Sequence, residues 1–321
     1  MHLKHVLLAC VWLFCSLHAG SQPAEKKYTY AHPQMGTTFK ITFYSRLDSI
    51  SSQAIATEIF SKIDSLNLLF SDYLPESELN RLCNQAGNLN WINISSDLWN
   101  ILDLSNYFTQ ASSGAFDVSV GAITRLWRKA RAMKELPDST LISNTLRSAG
   151  HTCVQLKSKQ QARILQAGTR LDLGGIAQGY TADICLNLLR SKGIRRALVD
   201  AGGDIAIGDP PPYSNGWLIY FPSYSNDKPD HLDSLRLSNC GITTSGATTR
   251  YLEVNNIKYS HIIDPRTGWA LTENYLVTVQ APNATIADAW ATALNVLGPL
   301  GWELIRDEHP ELNVWIIKSN H

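Results

Sequence analysis

His261 lies in the stretch YSHIIDPRTG (Tyr259–Gly268), just ahead of the pair Asp264-Pro265. Proline fixes its own φ and pushes the residue before it out of the helical region, so the pair starts a turn. Thr267-Gly268 adds a second flexible point. Tyr259, His261 and Ile263 alternate with Ser260 and Ile262, as at the end of a strand. An imidazole and a carboxylate beside a loop on a rigid scaffold suit acid–base chemistry, since an ordinary imidazole titrates near ~6.5. A strand end with a capped turn explains the same residues without chemistry.

NATIADAWATALNVLG offers a different kind of group. Asp288 and Thr292 are four residues apart, on one helix face. Their oxygens suit a hard cation such as Mg²⁺, which takes carboxylate, hydroxyl, carbonyl and water ligands. Thr285 followed three residues later by Asp288 is also a capping-box-like helix start, a purely structural use of that aspartate. In RLDLGGIAQGYTADICLNLL, Asp172 precedes Gly174-Gly175 and a helix, where a backbone can approach a ligand closely and free N–H groups can meet a phosphate. The glycine spacing is that of neither a dinucleotide fingerprint nor a P-loop. In SSGAFDVSVGAITRLW, Phe116 can stack on a planar ring and Asp117 can hydrogen-bond to it, or Phe116 and Val118 can be core residues of a strand. MGTTF (Met35–Phe39) and FSDYLPESELNRLCN (Phe70–Asn84) are weaker taken singly. Tyr73 reads there as a turn aromatic, and Glu76, Glu78 and Arg81 as a solvated helix face.

These residues need elements to hold them. Phe39, Ile41 and Phe43 alternate with polar neighbours over Thr38–Tyr44, a half-buried strand. Ile55, Ile59, Ile63, Leu66 and Phe70 recur at helical spacing. A second helix carries Leu98, Ile101, Leu102 and Phe108, started by Ser95/Ser96 and stopped near Gly114. A third spans Ile176 to Arg190 and ends at Gly193, and a fourth spans Thr285 to Leu297. RALVDAGGDIAIG is a strand pair around a glycine turn, Leu276–Gln280 is another strand, and the loop from Pro210 to Pro229 carries one near Trp217–Phe221. Helices and strands interleave without a βαβ period or an internal repeat. The fold class is α+β, a single mixed domain of interleaved helices and mostly antiparallel strands over residues 28–321.

Composition narrows the function classes. The 321 residues are 44% hydrophobic and 17% charged, with 28 basic and 28 acidic side chains and zero formal charge. No global field or Lys/Arg block favours nucleic acid. The N-terminus, with Lys4, an apolar run from Val6 to Leu17 and then small and polar residues, has the layout of a secretory signal over residues 1–21. An exported, periplasmic protein follows. A lipid-anchored, membrane-associated form is the alternative, since LLAC ends at Cys10, although Phe14 stands where a small residue is wanted before Cys15. Cys83, Cys153, Cys185 and Cys240 are widely spaced without a CxxC, and read as buried free thiols.

Taken in order, MGTTF, FSDYLPESELNRLCN, SGAFDVSVG, LDLGGIAQGY, LVDAGGDI, TSGATTRY, YSHIIDPRTG and IADAWATAL resemble the ApbE family, the FAD:protein FMN transferases, across nearly the whole chain beyond the signal. The resemblance implies an enzyme that binds FAD with Mg²⁺ and moves FMN to a threonine hydroxyl of an acceptor protein, forming a phosphoester and releasing AMP. The implied acceptor carries a Ser-Gly-Ala-Thr-like flavinylation segment. Implied flavin contacts are Met35, Tyr73, Ala115, Phe116, Asp117, Asp172, Gln178 and Ile262. Implied Mg²⁺ ligands are Asp288, Thr292 and an oxygen at Gly175, and His261 becomes the base for the attacking threonine. Two other readings share these residues: an Mg²⁺-dependent FAD pyrophosphatase that uses water, and a non-catalytic exported flavin-binding protein. For a flavin carrier, Ser245-Gly246-Ala247-Thr248 is similar to an acceptor core, with Ile242 where acceptors place an acidic residue.

Overall fold

The computed structural model describes residues 24–150, 153–158, 160–223, 232–246, 251–273 and 275–318. Residues 1–21, read above as a secretory signal, lie outside them with Cys10 and Cys15, as does Thr248.

In chain order the elements are β1 (Lys26–Gln34), β2 (Thr37–Ser45), α1 (Ser49–Phe70), α2 (Glu78–Cys83), β3 (Ile92–Asn93), α3 (Ser96–Ala111), α4 (Gly121–Met133) and α5 (Ser139–Leu146). There follow β4 (Val154–Lys157), β5 (Gln161–Ile164), α6 (Ala177–Ser191), β6 (Ala197–Ala201), β7 (Asp204–Ile207), β8 (Trp217–Pro222), β9 (Leu232–Leu237) and β10 (Cys240–Ser245). The chain ends with β11 (Tyr251–Val254), β12 (Ile257–Ser260), β13 (Tyr275–Ala281), α7 (Ala284–Ile305) and β14 (Asn313–Lys318).

The main sheet has the order β1-β2-β6-β7-β10-β13-β14, with every pairing antiparallel. Small sheets β3-β5-β4, β8-β9 and β11-β12 flank it. The alternation of Phe39, Ile41 and Phe43 is that of one sheet face, and all three are fully buried with Ile59 and Ile63 of α1 and Cys185 and Leu189 of α6. Each such side chain removed from water contributes roughly 1.5–3 kcal/mol, so this layer fixes which way β2 faces. A second core gathers Phe108, Phe116, Leu173, Tyr180 and Trp290 around α3, α6 and α7. Cys83, Cys153, Cys185 and Cys240 are free thiols; the first three are buried and Cys240 is half-buried.

α7 carries the site. Its predicted end at Leu297 has a physical cause: Gly298, at φ 66° and ψ −175°, is not helical, and the chain re-enters a helix at Pro299. The predicted capping box is corrected. The N-cap is Asn283, whose side chain accepts from Ile286 N, and the carboxylate of Asp183 on α6 takes the N–H groups of Ala284 and Thr285. Asp288 is one turn further in and does not cap α7; its carboxylate instead takes the Gly179 N–H in the first turn of α6. Between α6 and α7, Gly179 sits so close that a Cβ there would lie 2.4 Å from the Ala284 carbonyl oxygen. Glycine is the residue that lets these two helices touch.

Candidate active site

α4, absent from the expectations above, organises the site. Its residues Ile123, Trp127 and Ala130 are buried, and Trp127 Nε1 donates to the Gly268 carbonyl at 2.9 Å. Thr124, Arg128 and Arg131, one position further along, line a cavity of about 780 Å³. The signal was present in ITRLWRKAR as two interleaved i, i+4, i+7 faces, one apolar and one polar. One helix thus holds the loop after His261 with one face and builds a cavity wall with the other.

All twelve residues singled out from the sequence line that cavity: Met35, Tyr73, Ala115, Phe116, Asp117, Asp172, Gly175, Gln178, His261, Ile262, Asp288 and Thr292. Its volume is in the upper part of the ~300–1,000 Å³ range of small-molecule sites. Met35 and Gly36 form the two-residue turn of the β1–β2 hairpin, both at positive φ (53° and 74°). That turn twists with its strands and so delivers Met35 to the cavity rim. Gln178 Nε2 donates to the Met35 carbonyl at 3.3 Å, tying the rim to the start of α6.

Phe116 is 2% exposed and packs edge-on to Phe108. It belongs to no strand, so its wall position comes from core packing and the Phe116/Val118 strand is not formed. Asp117 Oδ1 accepts from Ser119 N at 2.8 Å. Asp172 follows an isolated bridge between Val120 and Arg170, and one of its oxygens holds Gly174 N at 2.9 Å. Glu78 does more than face solvent: it accepts from both the backbone N and the Oγ of Ser95, the N-cap of α3.

β12 ends at Ser260, so His261 sits in a bend rather than in the strand, and the expected alternation stops there. Leu271 accepts from Ser260 N and donates to the Ile262 carbonyl, bracketing His261. As a result His261, Ile262 and Ile263 are consecutive lining residues of the cavity, and Ile263 also packs with Tyr259 and Trp127. Asp264 accepts from Arg266 Nε and Nη2, each at 2.9 Å, and from Arg266 N. Its carboxylate is committed to the turn.

Asp288 is 5% exposed, and its Oδ2 accepts from Gly179 N at 3.0 Å. Its other oxygen and the Thr292 hydroxyl make no hydrogen bond among the described residues. A Cβ on Gly175 would lie 2.9 Å from Thr292 Oγ1, so backbone, hydroxyl and carboxylate adjoin across the α6–α7 seam. Among the described residues no three His, Cys, Asp or Glu side chains gather as a metal cage. The available donors are mixed hard oxygens, a set suited to Mg²⁺ rather than to a soft metal. Burial, with Asp204 nearby, pushes the Asp288 carboxyl well above the usual carboxylate range. Burial pushes Asp204 up to about 7, with Asp200 adding to the effect. Sequence reasoning missed Asp204, Asp72 and Arg128, because nothing local announces a buried carboxylate or a bridge between distant segments.

These shifts make stability depend on pH. A carboxyl whose pKa is raised by folding binds its proton more tightly when folded, so its contribution is complete below about 4 and is lost as pH rises through the folded value. For Asp204 that window runs from about 4 to about 7. Asp64 and Asp209 are shifted downward and act in a lower window, so they do not mask it. Chelator-treated protein is expected to melt at lower temperature at pH 8 than at pH 5.5. A flat or rising melting temperature across that interval would show that the buried pair is already ionised.

Comparison with known proteins decides the family: residues 35–316 match the ApbE family. The chain belongs to the ApbE family. This ApbE-family chain is 31% identical over 310 residues to the FAD:protein FMN transferase of Treponema pallidum, an alignment covering 91% of this chain and 84% of that protein. It is 29% identical to the FAD:protein FMN transferase of Escherichia coli K12, covering 91% and 86%. In three dimensions it is similar to the ApbE protein of Thermotoga maritima, with a TM-score of 0.79, 25% identity and 92% and 97% coverage. The apo form of the Pseudomonas stutzeri flavinyl transferase ApbE shares the fold of this ApbE-family chain, with a TM-score of 0.82, 22% identity and 93% coverage of both chains.

Proposed function

We propose that this protein transfers FMN from FAD to a threonine hydroxyl of an acceptor protein with release of AMP, and that it uses Mg²⁺. The observation that carries the reading is the convergence of His261, Asp288 and Thr292, from separate segments, on one cavity in an ApbE-family chain. Charge supports the cation. Five carboxylates line the cavity against two guanidinium groups and one histidine. Arg128 pairs with Asp72 and Asp172, while Asp204 and Asp288 are buried without a cationic partner among the described residues. A cation beside Asp288 would both favour its ionised form and neutralise an entering pyrophosphate. Asp288, Thr292 and the backbone at Gly175 would hold Mg²⁺, which when bound neutralises charge on the pyrophosphate.

The chain's own residues do the rest. Met35, Tyr73, Phe116 and Ile262 border the space for the flavin ring, and Asp117, Asp172 and Gln178 present polar groups to it. His261 takes the proton of the threonine hydroxyl as its oxygen attacks the phosphorus of the FMN half. The anhydride P–O bond breaks, AMP leaves with the bridging oxygen, and a phosphoester remains on threonine. Orientation of the nucleophile and charge neutralisation account for most of the acceleration in such a transfer. Export, with or without a lipid anchor, is part of the proposal and is motivated by the N-terminal layout.

The test is incubation with FAD, Mg²⁺ and an acceptor bearing Asp-x-x-Ser-Gly-Ala-Thr, read by in-gel flavin fluorescence and AMP release. One covalent FMN per acceptor and equimolar AMP are expected, with none on an acceptor carrying valine in place of the threonine. AMP and free FMN without labelled acceptor would favour the pyrophosphatase, and FMN bound covalently to this chain would favour the carrier.

A further inference from the structure

Tyr73 is 72% exposed although it lines the cavity, and the Arg128 guanidinium carbon lies 4.3 Å from its ring centroid. Arg128 also donates through one nitrogen to Asp72 and through the other to Asp172 Oδ2 at 2.7 Å. The side chains of Asp72 and Asp172 are 7% and 12% exposed, so both carboxylates depend on this bridge. Burial works against the charge on Arg128, but Asp172 and Asp72 outweigh it and hold the guanidinium above its usual value. The segment carrying Tyr73 is pinned a second time. Asn80 Nδ2 donates to the carbonyls of Ser71, Asp72 and Leu74, while Arg125 Nη2 bonds Asn80 Oδ1 and the Asp72 carbonyl.

We infer that Arg128 is a positioning residue for the substrate's planar ring: it backs one face of Tyr73 and locks Tyr73 to Asp172, so that a flavin completes the stack. The inference rests on the proposed flavin-transfer function. Its chemistry is specific to arginine. A planar fork can bridge two carboxylates and lie against an aromatic face at once, whereas a lysine supplies a single point charge. Thr124 Oγ1, 2.8 Å from the same Asp172 oxygen, shares the load at that end, and Asn80 and Arg125 hold the backbone beside Tyr73, so what Arg128 adds is the backing of the Tyr73 ring.

Arg128→Lys keeps the positive charge between the carboxylates, so the melting temperature is expected to stay within a few degrees of the parent protein. FAD and FMN, titrated by flavin fluorescence quenching, are expected to bind about 10-fold more weakly. AMP, which lacks the isoalloxazine, is expected to bind unchanged. In a Tyr73→Ala background, Arg128→Lys should then cost less than about 2-fold, because the ring it supports is gone. Unchanged flavin affinity in Arg128→Lys, an equal loss for AMP, or strict additivity with Tyr73→Ala would overturn the inference while leaving flavin binding intact. A parent protein that binds neither FAD nor FMN would overturn the flavin reading itself, and this inference with it.

Discussion

His261→Ala is expected to lower FMN transfer by about 10²- to 10⁴-fold, the span typical of a lost general base, while FAD affinity stays within a few-fold. The bend after β12 and the Leu271 bonds on both sides of His261 hold its position independently of the imidazole, so the loop should survive the change. Asp264 is poorly placed to substitute, since both its oxygens are occupied by Arg266. The pH dependence of single-turnover transfer provides the check. The parent enzyme should lose rate on the acid side, where a general base is protonated, and the variant should lack that limb. Near-normal transfer by the variant at neutral pH would show that another group accepts the threonine proton.

The second large effect is expected at Asp288. Asparagine in its place can still accept from Gly179 N, and the helix start is untouched because Asn283 and Asp183 cap it. Removing a buried acid also removes its desolvation cost. Asp288→Asn should therefore melt no lower than the parent in the absence of metal. It should lose the Mg²⁺-induced rise in melting temperature, and transfer should fall by more than the ~10–100-fold typical of an altered outer-shell partner. Thr292→Val, which deletes one neutral oxygen at similar volume, should show the same defect in smaller degree. A normal Mg²⁺ titration of Asp288→Asn would remove this carboxylate from the metal site.

Twelve of the residues that line the cavity were legible in the sequence because each belongs to a short local pattern. The Asp-Pro turn marked the neighbourhood of His261, and the i, i+4 spacing of Asp288 and Thr292 placed both on one helix face. The glycines after Asp172 marked a close approach, and the order of eight such segments pointed to the family. Period-2 and period-3.6 hydrophobicity likewise located β2, α1, α3, α6 and α7, since burial of one face is a local constraint written along the chain. Only the tertiary structure decided which partners those residues have. Asp288 reads equally well as a cap until Asn283 and Asp183 are seen to fill that role. The strand through His261 reads as continuous until Leu271 bends it. Arg128, Asp72 and Asp172 carry no shared local signal, because the bridge that joins them spans 44 and 56 residues of sequence and exists only once α4 packs beside the Tyr73 segment. Local pattern records which face of an element is buried. It does not record what that face meets, and long-range ion pairs and buried carboxylates are properties of the meeting.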